Sequence, residues 1–349
     1  MDQIGRRDDK AERREYFFRA PQALLDLLKD DRDAAIMNLL FNSAVFISIG
    51  ILSLLYTKSH LVGLLYFIIL FTQLFERFVL ALHFSSHKPL SHTKTVNRIP
   101  EIWIAPFFGI PSGMYSLHHI AIHHVHGNES PYDISSTEPY QRDKISNLAA
   151  YCIRFVAFSA VEIPWNFCKQ GNNQDAIICV ATIFLNILVV RLVIVWFPLV
   201  AFWTLVMPLL TAPLFLACGN FCQHIFVNKE QASSPFGITY CLVDSCNNQV
   251  TFNDGYHTEH HIMSTRHWSD LPKKFMERIN EYEEHDALVF CGDVSFLTIG
   301  YLVFTENYDR LYEILVQFES NPRSRQEVEK MLRERLKPVQ RWNDGKLIK

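Results

Sequence analysis

The sequence predicts an all-α integral membrane protein, a four-helix bundle of two hairpins with a helical cap on its cytosolic face. Three observations lead there. The 349 residues are 49% hydrophobic and 13% aromatic but only 20% charged, less charge than a soluble chain of this length usually carries. The apolar excess is gathered into runs that meet the need of a bilayer core for about 20 residues per helix. Basic residues flank those runs mostly on one side.

The elements follow in chain order. Residues 1–33 form a polar segment with eight Lys or Arg and no apolar stretch of the kind a cleavable leader needs. Ala34 to Thr57 carries no charge and is long enough for a first span. After the short link Lys58–Ser59–His60, a second apolar run begins at Leu61 and carries Glu76 and Arg77 before reaching His83. So tight a link predicts a hairpin. Ile102 to Leu117 is broken by Pro106, Gly109, Pro111 and Gly113 and is expected at the membrane interface. Leu148 to Phe167 holds Arg154 and Glu162 and reads as a surface-lying amphipathic helix. Ala176 to Asn228 has one charge, Arg191, and makes two spans. Their turn is Trp196–Phe197–Pro198, because proline disfavours helix in the residue before it. Pro208 and Pro213 then kink the fourth span.

The spans thus fall near 34–57, 61–82, 176–195 and 199–222. They lie within a membrane domain of 34–275, between the N-terminal segment 1–33 and a helical tail of 276–349. Lys58 and Arg191 sit near the hairpin tips, whereas the termini and long connections hold the other Lys and Arg. By the positive-inside tendency both termini are cytosolic.

The net charge of −3 gives no electrostatic reason to expect a nucleic acid partner. Eight cysteines without CxxC spacing argue against a disulfide framework and a cysteine zinc site.

The 15 histidines are unevenly placed. His83 and His87 form HxxxH at the end of the second span. His118, His119, His123 and His124 follow within seven residues. His257, His260 and His261 form HxxHH after the fourth span, and His224 ends the run Asn220–Phe221–Cys222–Gln223–His224. Residues three or four apart share a helix face, so each box presents imidazoles together. Neutral imidazole is a ligand for iron, zinc or copper. One such histidine is more often structural; nine in register reverse that prior. Nine also exceed what one metal can use, which leaves two metals with four or five each. His118 and His119 both remain open for the second box.

His60, His92, His126, His267 and His285 read as loop or surface residues, with His126 near enough to touch a ligand. Cys218 and Cys222 read as packing. The polar stretch from Asp133 to Asp143 is expected to be a solvated loop.

His83-x-x-x-His87, His119-x-x-x-His123-His124 and His257-x-x-His260-His261 resemble the three histidine boxes of the membrane fatty acid desaturase and hydroxylase superfamily. Asn220-x-x-x-His224 is similar to the element holding that family's additional histidine, and Asp254–Gly255–Tyr256 to the flank of its third box. The resemblance runs over roughly residues 60–275. It implies that His83, His87, His119, His123, His124, His224, His257, His260 and His261 bind two iron ions, with Asn220 reaching a metal through water. His119 is favoured over His118 by the family's spacing.

The same resemblance implies an oxygen-dependent lipid desaturase, with O₂ as co-substrate and a fatty acyl chain as substrate. A hydroxylase or related oxygenase on a lipid or polyketide-like chain is the alternative, since the boxes serve both outcomes. A membrane haem electron carrier needs histidines facing each other inside the bilayer, and these gather at helix ends. A non-catalytic scaffold is disfavoured by the filling of every box. The chain has no His-Pro-Gly-Gly haem motif, no Gly-rich flavin or nicotinamide fingerprint and no ferredoxin-like cysteine array. The electron donor is therefore expected to be a separate b-type cytochrome or ferredoxin with its reductase, and the location the endoplasmic reticulum membrane in a eukaryote.

Overall fold

The computed structural model describes residues 17–318, 322–340, 342–343 and 346–347; residues 1–16 of the basic N-terminal segment fall outside them. Five helices are long and apolar enough to cross a membrane: Asp31–Thr57, His60–His87, Ile145–Lys169, Asn173–Trp196 and Pro198–Gln223. Four of them contain the expected spans. Ile145–Lys169 is the addition, because its 25 residues carry too few charges to exclude it by length and composition. Cα packing divides the chain into two compact units. Among the described residues, one is drawn from 17–121 and Phe158–Phe215, the other from Ile122–Ala157 and those from Leu216 onward.

In the first unit the two hairpins turn where the sequence placed them. Thr57 ends the first helix, Lys58 caps it in the left-handed region with its N–H bonded to Leu54 O, and the next helix starts at His60. Asn172 caps the third hairpin strand of helix, Asn173–Trp196, by accepting from Asp175 N. Phe197 then breaks the chain out of helical geometry, and Pro198 opens the following helix at a position where a missing N–H costs nothing. Trp203 Nε1–H donates to His60 Nδ1 at 3.2 Å, tying one hairpin to the other.

Two long helices are interrupted by π-turns, Leu70–Phe75 and Phe202–Val206. The first keeps the helix continuous to His87, so His83 and His87 occupy its last two turns. The second stands just before Pro208, the residue expected to kink the span, so the disturbance is a π-turn beside the proline. Thr211 Oγ1–H donates to Met207 O at 2.7 Å, one of the side-chain bonds that let a membrane helix tolerate proline. The broken stretch after Ile102 is packed at its centre: Phe108 is fully buried and stacks on Phe78 with centroids 4.0 Å apart. Gly109 follows with φ +78, and a Cβ there would collide with Pro208 O, so only glycine fits.

The second unit carries a parallel strand pair, Cys241–Val243 with Val289–Cys291, Cys241 opposite Val289. Its core joins Phe221, Ile225, Phe226, Tyr240, Leu288, Phe290 and Val303 to Val328, Leu332 and Leu336 of the C-terminal region. Each such side chain, once fully buried, contributes about 1.5–3 kcal/mol. Ser324 starts the helix Arg325–Arg335 with a capping box closed by Glu327. This packing holds the polypeptide on either side of His224.

Candidate metal centre

The first unit brings three box histidines together. His83 and His87 stand one turn apart on their helix, and His119 opens the π-turn His119–His123. One ring nitrogen from each of His83, His87 and His119 lies within 4.8 Å of the others. His87 Nε2 and His119 Nε2 approach to 3.1 Å. His119, rather than His118, belongs to this group.

In the second unit the adjacent His123 and His124 diverge to different partners. His124 Nε2 lies 3.0 Å from His260 Nε2. His123, His224 and His261 each place one ring nitrogen within 4.8 Å of the others. His257 joins them, with its Nε2 3.3 Å from His261 Nε2 and its ring centroid 5.4 Å from that of His224. Two imidazole nitrogens this close share at most one proton. They are also spaced like neighbouring ligands at right angles, about 3.0 Å apart around an ion about 2.1 Å away.

The donor chemistry fits a metal. His224 is wholly buried; its Nδ1–H donates to Ile238 O at 2.9 Å, and its Nε2 has no hydrogen-bond partner. A buried lone pair with nothing to accept is costly unless a cation takes it. Burial, and then the neighbouring imidazoles, push His224 and His261 well below the usual histidine range, so both stay in the neutral form that ligates.

The third box depends on its flanks. A Cβ on Gly255 would collide with Asn248 Oδ1 and stand 2.6 Å from Leu242 O. Glycine therefore lets the chain pass between these groups and enter the helix His257–Ile262. Gly255→Ala is expected to cost about 1–3 kcal/mol through this overpacking. Thermal unfolding of the detergent-purified variant should begin several degrees lower, with less metal retained.

Glu259 is two residues beyond His257, so it points from the face opposite the ligands. It is fully buried, accepts from Arg266 Nη1 at 2.8 Å and from Tyr282 Oη at 3.1 Å, and anchors the box helix from behind. Burial pushes its carboxyl above the usual range, against the opposing pull of Tyr282, Arg278 and Arg266. The sequence reading passed over it.

One expectation is overturned. The stretch from Asp133 onward is not a solvated loop: Asp133, Ser135, Ser136, Thr137, Glu138 and Arg142 are all buried. Its polar groups are satisfied internally, which removes the need for water. Asp133 Oδ2 takes the Nδ1–H of His123 at 2.8 Å. Ser135 O accepts from Asn220 Nδ2 at 2.9 Å, and Thr137 Oγ1–H donates to His224 O at 2.7 Å. The tendency of metal-bound imidazoles to seek a carboxylate could have pointed to Asp133.

Asn220 also donates to Tyr151 Oη at 2.7 Å, so its amide nitrogen faces this segment. Among the described residues, His92, His126, His267 and His285 stand outside both histidine groups, and His267 is buried. His126 stacks on Tyr132, and His285 on Phe236.

A membrane helical framework with two gatherings of box histidines defines a class of metal-dependent lipid oxidoreductases. The family model for fatty acid desaturases matches residues 57–292, and the chain belongs to that family. The match spans every histidine box and His224. Searches of curated proteins and of solved structures return no match. The protein is an integral membrane member of a family that acts on lipids, with a histidine-rich site suited to a metal.

Proposed function

We propose that the protein is an oxygen-dependent fatty acyl desaturase with a di-iron centre. The ligands are His83, His87, His119, His123, His124, His224, His257, His260 and His261, with Asn220 contacting a metal through water. The reading rests on the group of His123, His224 and His261 within a chain of this family, above all on the buried, unpartnered Nε2 of His224.

Bound iron supplies the oxygen chemistry that removes hydrogen from an unactivated methylene. The residues of the chain hold and orient. The Nδ1–H of His224 is fixed on Ile238 O and that of His123 on Asp133, so each ring presents Nε2. The neutral, buried imidazoles keep protons away from the ligating nitrogens. The apolar helices receive the acyl chain and exclude water, and positioning of one methylene sets where hydrogen is removed.

The two hairpins form a four-helix membrane bundle and the remaining helices a cytosolic cap, with segments 1–33, 34–275 and 276–349 as the working divisions. Both termini face the cytosol. A separate b-type cytochrome or ferredoxin, with its reductase, delivers electrons there. In a eukaryote the endoplasmic reticulum membrane is the site of action.

The test is product analysis with a fatty acyl substrate, a reductant system and ¹⁸O₂. A new double bond with no label in the lipid is the expected result. Retained label would make the protein a hydroxylase or related oxygenase of the same superfamily. Absence of any O₂-dependent change across lipid classes would contradict the reading.

A further inference from the structure

We propose that Asp133 is a positioning residue for the metal centre, acting through His123. The inference rests on the metal-binding reading above and adds a residue outside the histidine boxes.

The Asp133 side chain has no exposure, and an isolated carboxylate so buried is strongly disfavoured. At least four hydrogen bonds compensate it. Oδ2 accepts from His123 Nδ1 at 2.8 Å and from Asn128 N at 3.1 Å; Oδ1 accepts from Ser135 N at 2.8 Å and from Ser135 Oγ at 2.6 Å. The other three donors, Asn128 N, Ser135 N and Ser135 Oγ, lie within a few residues of Asp133 itself and fix the carboxylate where it meets the ring.

An acceptor at Nδ1 makes that nitrogen the protonated one, which leaves the lone pair on Nε2. The ring it orients packs edge-on to His224 and His261, with centroids 5.1 and 5.3 Å away. A carboxylate in this place also raises the basicity of the ligand.

The same short segment grips the centre twice more, through Ser135 O on Asn220 and Thr137 Oγ1 on His224 O. Three site residues are thereby held by Asp133, Ser135 and Thr137. Asp133 alone among these contacts bears charge and touches a ligating ring.

The experiment uses the full chain in mild detergent, loaded with ⁵⁷Fe. Iron release to a chelator and the Mössbauer spectrum are recorded for wild type, Asp133→Asn and Ser136→Ala. Ser136 belongs to the same buried segment and donates to Asn128 O without touching a histidine, so it reports on the integrity of the loop.

Asp133→Asn is expected to release part of its iron about 10–100-fold faster, the usual effect of losing such a partner. One iron's quadrupole splitting should change, with unaltered circular dichroism. Ser136→Ala should behave as wild type. Equal release and identical spectra for wild type and Asp133→Asn would overturn the proposal, and so would an equal defect in Ser136→Ala. If wild type binds another divalent metal, release of that metal tests Asp133 in the same way. A wild type that binds no divalent metal would overturn the metal-binding reading itself, and this inference with it.

Discussion

Changing His257, His260 and His261 together to alanine is expected to abolish lipid oxidation and strip metal from the protein. The three residues share the short helix His257–Ile262 yet serve different partners: His260 meets His124, while His257 and His261 meet His224 and each other. On the proposed di-iron reading, their removal therefore takes ligands from both metals at once. Groups that act as one unit lose nearly all catalysis when broken, so activity should fall on the order of 10³-fold or more. Turnover of a fatty acyl substrate and elemental analysis of the same preparation check this. A variant with normal turnover would refute the assignment of the third box.

The second large effect is expected at Arg142. Its guanidinium is wholly buried and makes contacts of 2.6–3.3 Å with the carbonyl oxygens of Ile225, Thr137, Glu138, Tyr140, Arg335 and Lys337. Burial lowers its pKa only to about 10, so it remains a cation at neutral pH. The end of the helix Arg325–Arg335 faces it with partial negative charge, which is where a cation is stabilised.

The clamp joins the residue after His224 to the segment that holds His123 and to the C-terminal region. Arg142→Ala would strand several buried carbonyls, each worth about 1–3 kcal/mol when unsatisfied, for a total of at least about 3 kcal/mol. Melting should fall by roughly 6–12 °C. Arg142→Lys keeps the charge but cannot span the same acceptors, so it should recover only part of the loss. A thermal melt of the three proteins in one detergent decides the matter; an unchanged melt for Arg142→Ala would remove the clamp from the account.

The parts of this molecule that could be read in the sequence share a cause. The proposed metal site repeats one residue type at helical spacing, so His83 and His87, or His257, His260 and His261, announce themselves locally. Membrane spans are equally local, since length and lack of charge define them, and Trp196–Phe197–Pro198 and Lys58–Ser59–His60 turn where expected. The contacts that support the ligands are different. Asp133, Glu259 and Arg142 act through partners that the fold supplies, and a stretch rich in Asp, Ser, Thr and Glu looks solvated until those partners are seen.

The π-turns at Leu70–Phe75 and Phe202–Val206 had no local mark beyond the nearby Pro208. Ile145–Lys169 is a closer case. Arg154 and Glu162 suggested a surface helix, yet three charges over 25 residues, one of them the last residue, do not prevent a span by composition. His118 and His119 could not be separated by residue type, and only the approach of His119 to His87 separates them.

The most direct test of the central claim is the metal content of the intact protein, purified in mild detergent from iron-supplied cells and measured by elemental analysis. The account predicts about two irons per chain, as nine histidine ligands require. A single metal per chain, or none, would contradict it.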